Sequence, residues 1–112
     1  MNDVIAVLTN VPDEGLARQI GATLVEQKLA ACVNILAACE SIYRWRGKTE
    51  SAREFPLLIK TTRGRYPEVE STLKQLHPYE IPEIIVFPID VGLRAYLDWV
   101  RSETHHPLVI PP

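Results

Sequence analysis

Two short runs in this 112-residue chain, Val4–Leu8 and Ile84–Phe87, are apolar at every position. A strand with one wet face alternates apolar and polar residues, whereas a strand covered on both sides is apolar throughout. Both runs therefore predict strands with no solvent face. The periodicity changes between them. Pro12 suits a first helical turn, and Asp13 and Glu14 suit its positive dipole end. Leu16, Ile20 and Leu24 recur every four residues and predict an amphipathic helix to about Leu29. Residues 30–36 form another apolar run, read as a second strand. From Ser41 to Arg46 the pattern alternates strictly, with Tyr43 and Trp45 on one face and Arg44 and Arg46 on the other, before a turn at Gly47-Lys48. A further strand is predicted over residues 54–61, where Pro56 argues for an edge position or a bulge. Tyr66, Val69, Leu73 and Leu76 mark a second helix, which His77-Pro78 ends because the residue before proline avoids helical geometry. A last strand over residues 83–87 precedes a short helix carrying Leu93, Tyr96, Leu97 and Val100.

The order is strand, helix, strand, strand, helix, strand, then one more helix. It predicts an α+β, ferredoxin-like β-α-β-β-α-β sandwich with an extra C-terminal helix. Residues 1–103 read as one domain and residues 104–112, with three prolines, as an extended tail. Two helices cover only one face of a four-stranded sheet, yet its central strands are apolar on both. Soluble monomers rarely expose such a surface, so further copies of the chain are expected to cover it. Tyr43 and Trp45, far out on a long hairpin, are the candidates for reaching into a neighbour.

Composition excludes several functions. The formal net charge is -2, from 12 basic and 14 acidic side chains, so no overall field draws in nucleic acid or an anionic membrane. Arg44, Arg46, Lys48 and Arg53 are interrupted by Glu50 and Glu54 and read as a solvated surface. The first residues show no signal-peptide pattern, and no apolar stretch is long enough to span a bilayer. Cys32 and Cys39, seven apart, are not placed to bridge each other, which suits reduced thiols and a cytoplasmic location. There is no Gly-x-Ser-x-Gly, no His-Glu-x-x-His and no paired acid/base signature, so no enzyme is expected. The first loop lacks the Cys-x-x-Cys of soft-metal chaperones, and the central strands lack the exposed aromatics of RNA-binding sheets.

Five segments, 28–35, 41–47, 57–62, 77–85 and 96–99, resemble in the same order the CutA divalent-cation tolerance family. The resemblance implies a cytoplasmic homotrimer of ferredoxin-like subunits, similar in architecture to the PII proteins, in which edge strands pair and the long hairpin wraps the trimer. It also implies copper or other divalent-cation binding, no organic cofactor and no settled reaction. Some members carry a cysteine at the end of the first strand and two adjacent histidines before Pro-Tyr. Here those positions read Thr9, Leu76 and His77, so one imidazole remains of the three ligands. Copper prefers thiolate and imidazole donors, and a site reduced in this way needs other donors.

His77 has two readings, a metal or anion ligand and a helix-terminal histidine bonded to the last carbonyls. Glu83 opens an apolar strand where a charge needs a partner, with Lys60 and Arg53 as candidates. Cys32 reads as a small core hydrophobe or, if it faces a subunit cleft, as a third metal ligand beside His77 and Glu83. Lys60, Tyr79 and Glu80 are the candidates for holding a small anionic ligand between subunits, as in a PII-like sensor. His105-His106 can chelate adventitiously, and Leu108-Val109-Ile110 can dock on a neighbour. A structural trimer that presents the hairpin or tail to a protein partner is the remaining reading.

Overall fold

The computed structural model describes residues 3–105. The proline-rich tail beyond His105, including His106 and Leu108-Val109-Ile110, lies outside the described residues. Eight elements follow one another: β1 (Val4–Val11), α1 (Glu14–Glu26), β2 (Cys32–Ile35), β3 (Cys39–Trp45), β4 (Lys48–Thr62), α2 (Tyr66–Leu76), β5 (Ile84–Pro88) and α3 (Arg94–Glu103). Strands run in the order β2-β4-β1-β5, every pair antiparallel, and β3 pairs with the first half of β4. This is the ferredoxin-like arrangement with one added hairpin and one added helix.

Local chemistry sets the helix ends. Asp13, in extended geometry, caps α1 by accepting from the Leu16 N–H at 2.8 Å, which satisfies one of the free donors there. Lys28 ends α1 in the left-handed region (φ 60), and Leu29 N–H and Lys28 N–H return to Leu24 and Val25 carbonyls. That is a Schellman closure with lysine where glycine is usual.

Odd-numbered residues of the central strands face the helices. Ile5, Val7, Val11, Leu57 and Ile59 pack with Ile20, Leu24, Val69 and Leu73 into one fully buried cluster. Even-numbered residues of those strands form the opposite face, where Val4, with Ala31 from the segment before β2, packs under Val100 and Leu97 of α3. The added helix thus covers one end of the second face, a cover not expected from the sequence. The rest stays open: Ile85 and Phe87 are 42% and 47% exposed.

Two turn expectations change. The hairpin turns at Arg46-Gly47 rather than Gly47-Lys48, both residues having positive φ (51 and 81), as a two-residue turn of twisted strands requires. Pro56 lies in a central strand, paired with Asn10, not at an edge. Its carbonyl accepts from Leu36 N–H on the β2 side, so its missing donor also points there. The β2 ladder has ended at Ile35–Leu57 and the β3 ladder starts at Cys39–Glu54, so the proline falls in the gap between two partners. Fifteen residues of β4, at about 3.3 Å each, account for most of the molecule's 54 Å long axis.

Candidate functional site

A concavity of about 600 Å³ lies between the β3–β4 arm and the loop joining α2 to β5. Strand alternation builds one wall. Ser41, Tyr43 and Trp45 share a face of β3, and Glu54 stands on the same face of β4, opposite Cys39. The loop supplies the other wall with Pro78, Tyr79, Glu80, Ile81 and Glu83, and Asn10 closes the end of β1.

His77 sits at the end of α2, its backbone N–H bonded to Leu73 O. Its ring is buried and does not bond the helix carbonyls. Nε2 lies 2.7 Å from Asn10 O, a carbonyl that only accepts, so Nε2 carries the proton and donates. Nδ1 then accepts from Tyr79 N–H at 3.2 Å. Both ring nitrogens are engaged, and a metal could reach Nδ1 only by displacing Tyr79 N–H. The imidazole ties the α2–β5 loop to the end of β1, and Tyr79 packs on it with ring centroids 4.7 Å apart.

Tyr79 in turn donates to Glu54 Oε2 at 2.8 Å. Burial, followed by the bond to Glu54 and its negative charge, pushes the phenol up to about 12, because the anion would lose both solvent and its acceptor. Glu54 itself is 6% exposed. Glu83 takes neither Lys60 nor Arg53 as partner. The Asn10 amide donates to Glu83 Oε1 at 2.8 Å, so one residue holds His77 through its carbonyl and Glu83 through its side chain. Glu80 pairs with Arg46 at 2.9 Å, and the Arg46 guanidinium lies 5.3 Å from the Trp45 ring centroid. Arg46 therefore folds across the tryptophan instead of extending from the opposite face.

Cys32 and Lys60 lie elsewhere. They are directly opposed on β2 and β4, four ladder positions from the Asn10–Pro56 pair beside His77. Both reach the Asn34 side-chain oxygen, and Tyr96 lies against Cys32. One chain therefore brings Tyr79, Glu80 and Glu83 into one cleft with Tyr43 and Trp45, and leaves Cys32 and Lys60 outside it. Among the described residues no three His, Cys, Asp or Glu side chains converge as a metal site. Glu54, Arg46 and Asn10 were not anticipated from the sequence. Glu54 had a readable signal, since it opens an apolar strand as Glu83 does; Asn10 had none.

The CutA1 divalent ion tolerance protein family model matches residues 5–103. The chain belongs to this family. It is 50% identical over 98 residues to the divalent-cation tolerance protein CutA of Thermus thermophilus, covering 88% of this chain and 95% of that protein. The solved structure of the Thermus thermophilus divalent cation tolerance protein superposes with a TM-score of 0.89 at 48% identity, over 90% of this chain and 98% of that one. The periplasmic divalent cation tolerance protein CutA from Archaeoglobus fulgidus superposes with a TM-score of 0.88 at 36% identity, over 91% and 99% of the two chains. Family members thus bear the name of a tolerance protein and not of an enzyme. No helix among the described residues is long and apolar enough to cross a membrane.

Proposed function

We propose that this chain is a cytoplasmic, homotrimeric divalent-cation tolerance protein that binds copper or a similar ion weakly and catalyses no reaction. The observation that carries the cation reading is the charge balance of the cleft. Glu54, Glu80 and Glu83 line it, and among the described residues the one ion pair they make is Glu80 with Arg46. Such a cleft attracts cations and repels the small anionic ligand of a PII-like sensor. Glu83 is the metal donor best placed at the rim. His77 joins it only by giving up Tyr79 N–H, and Cys32 only if a neighbouring subunit supplies it. Each such requirement weakens binding. The exposed Ile85 and Phe87 on the open sheet face support assembly.

Copper(II) titration by calorimetry tests the reading on wild type and on Glu83→Gln, both with His105 and His106 changed to alanine. Glu83→Gln is expected to weaken binding about tenfold, the scale of one lost charged contact. Equal binding by the two proteins would remove the cleft as the metal site.

A further inference from the structure

The floor of the cleft differs from its rim. At the rim, Glu80 and Glu83 are exposed and each already has a partner. On the floor, Glu54 is 6% exposed, accepts one bond, from a neutral phenol, and pairs with no cation among the described residues. A buried carboxylate ordinarily stands beside a cation, because the desolvated charge is otherwise uncompensated. Here the second oxygen, Oε1, has no donor among the described residues. Besides Glu54, Ser41, Asn10 and the two rim carboxylates, the lining is Tyr43, Trp45, Tyr79, Ile42, Ile81 and Pro78, rings and aliphatic groups. A bare divalent ion needs several oxygen or imidazole ligands, and this floor offers one carboxylate. Aromatic rings around a single carboxylate instead suit a cation that carries its own apolar body.

A side chain from just outside the cleft lining already sets such a group against two of its residues. Arg46, at the left-handed turn of the hairpin, lays its guanidinium over the Trp45 ring and pairs with Glu80. An organic cation on a propyl stem thus already stands against Trp45 and Glu80, at the edge of the cleft.

We propose that the cleft binds a primary alkylammonium ligand, its nitrogen on Glu54 and its alkyl chain between Tyr43, Trp45 and Tyr79. This rests on the cation reading of the cleft and assigns its floor to an organic cation, leaving the rim to the metal. A primary amine fits better than a quaternary one, because its N–H donors match Glu54 Oε1 and the Ser41 hydroxyl, whereas a quaternary nitrogen donates nothing. Arg46 competes with the ligand and limits its affinity.

The experiment uses n-butylammonium chloride and, as its neutral counterpart, 1-butanol. Trp45 fluorescence is followed in a Trp99→Phe background, since the chain has two tryptophans. Butylammonium is expected to bind at least about tenfold more tightly than butanol, a comparison that needs no change to the cleft. Glu54→Gln is expected to abolish that preference, and Arg46→Ala to tighten butylammonium binding about threefold by removing the competing cation. Equal affinity for the two probes, a preference that survives Glu54→Gln, or no tightening in Arg46→Ala would overturn the proposal. Tighter binding of tetramethylammonium than of butylammonium would overturn the choice of a primary amine. Copper binding that persists while butylammonium fails would sink this inference and leave the metal reading standing. Loss of copper binding with butylammonium intact would do the reverse.

Discussion

The two faces of the sheet are cut from the same strands, and they end in different environments. Neighbouring residues of β1 and β4 point to opposite sides, so Val7 and Ile59 lie at 0% exposure under α1 and α2 while Leu8 and Leu58 are only half-buried. On β5 the second face ends in Ile85 and Phe87, both over 40% exposed. Hydrophobicity does not distinguish the faces; the cover does. One face is closed by helices of its own chain and tolerates no further partner. The other is closed by α3 at one end and by nothing among the described residues at the other, and there a second molecule gains most by docking.

That contrast can be broken by substitution on each side. Leu57→Ala empties part of the closed face and is expected to cost about 2–5 kcal/mol in urea unfolding, with the slope unchanged. Phe87→Lys on the open face should cost the isolated chain under about 1 kcal/mol, since its ring is already half in water. Its effect should fall on assembly instead, as a lower mass in sedimentation velocity. A Phe87→Lys protein of unchanged mass would remove Phe87 from the contact surface. A Leu57→Ala protein as stable as wild type would remove the distinction between the faces.

This difference marks how far the sequence was legible. The two-faced apolar runs announced β1 and β5 and the need for a cover, because burial on both sides leaves no alternation. Helices were legible for the same reason, and Tyr66–Leu76 is bounded where spacing and Pro78 place it. Pro56 was misplaced to an edge because a sequence does not show that one strand changes partners along its side. His77 and Glu83 were legible as residues in need of explanation, but their shared anchor, Asn10, lies 67 and 73 positions away and belongs to no periodic pattern. Lys60 was expected at the site as a cation ending an apolar strand and Cys32 as a thiol that a subunit cleft could expose, whereas the antiparallel register separates both from His77.

A finer contrast lies within the closed face. Thr61 and Thr9 are both at 0% exposure on the helix side, yet Thr61 donates to Leu29 O at 2.6 Å while Thr9 Oγ1 has no partner among the described residues. Replacing each by valine keeps the shape and removes the hydroxyl. Thr61→Val strands a buried carbonyl and is expected to cost about 1–3 kcal/mol, whereas Thr9→Val removes an unpaired group and is expected to gain up to about 1 kcal/mol. Thermal unfolding of the two proteins should therefore move in opposite directions. Shifts of the same sign would mean that Thr9 has a partner after all.

The smallest effect belongs to the cleft and is read as a titration. Tyr79 lies against Glu54, with its phenol raised to about 12 by burial first and by the carboxylate second. A phenol whose folded pKa exceeds its unfolded value of about 10 holds its proton more tightly in the native state. Its contribution to stability is then complete below about pH 10 and is lost as the pH rises through the folded value. Absorbance of tyrosinate near about pH 11 should consequently show Tyr79 still protonated, and Tyr79→Phe should remove the last phenol to titrate. In Glu54→Gln the acceptor charge is gone while the burial remains, so the titration of Tyr79 should move part of the way back towards its ordinary range. A complete return would make the carboxylate the dominant cause, and no movement would separate Tyr79 from Glu54 altogether. The partial return is the result that keeps Glu54 buried against Tyr79 and without a cation among the described residues, the arrangement on which the cleft's preference for positive ligands depends.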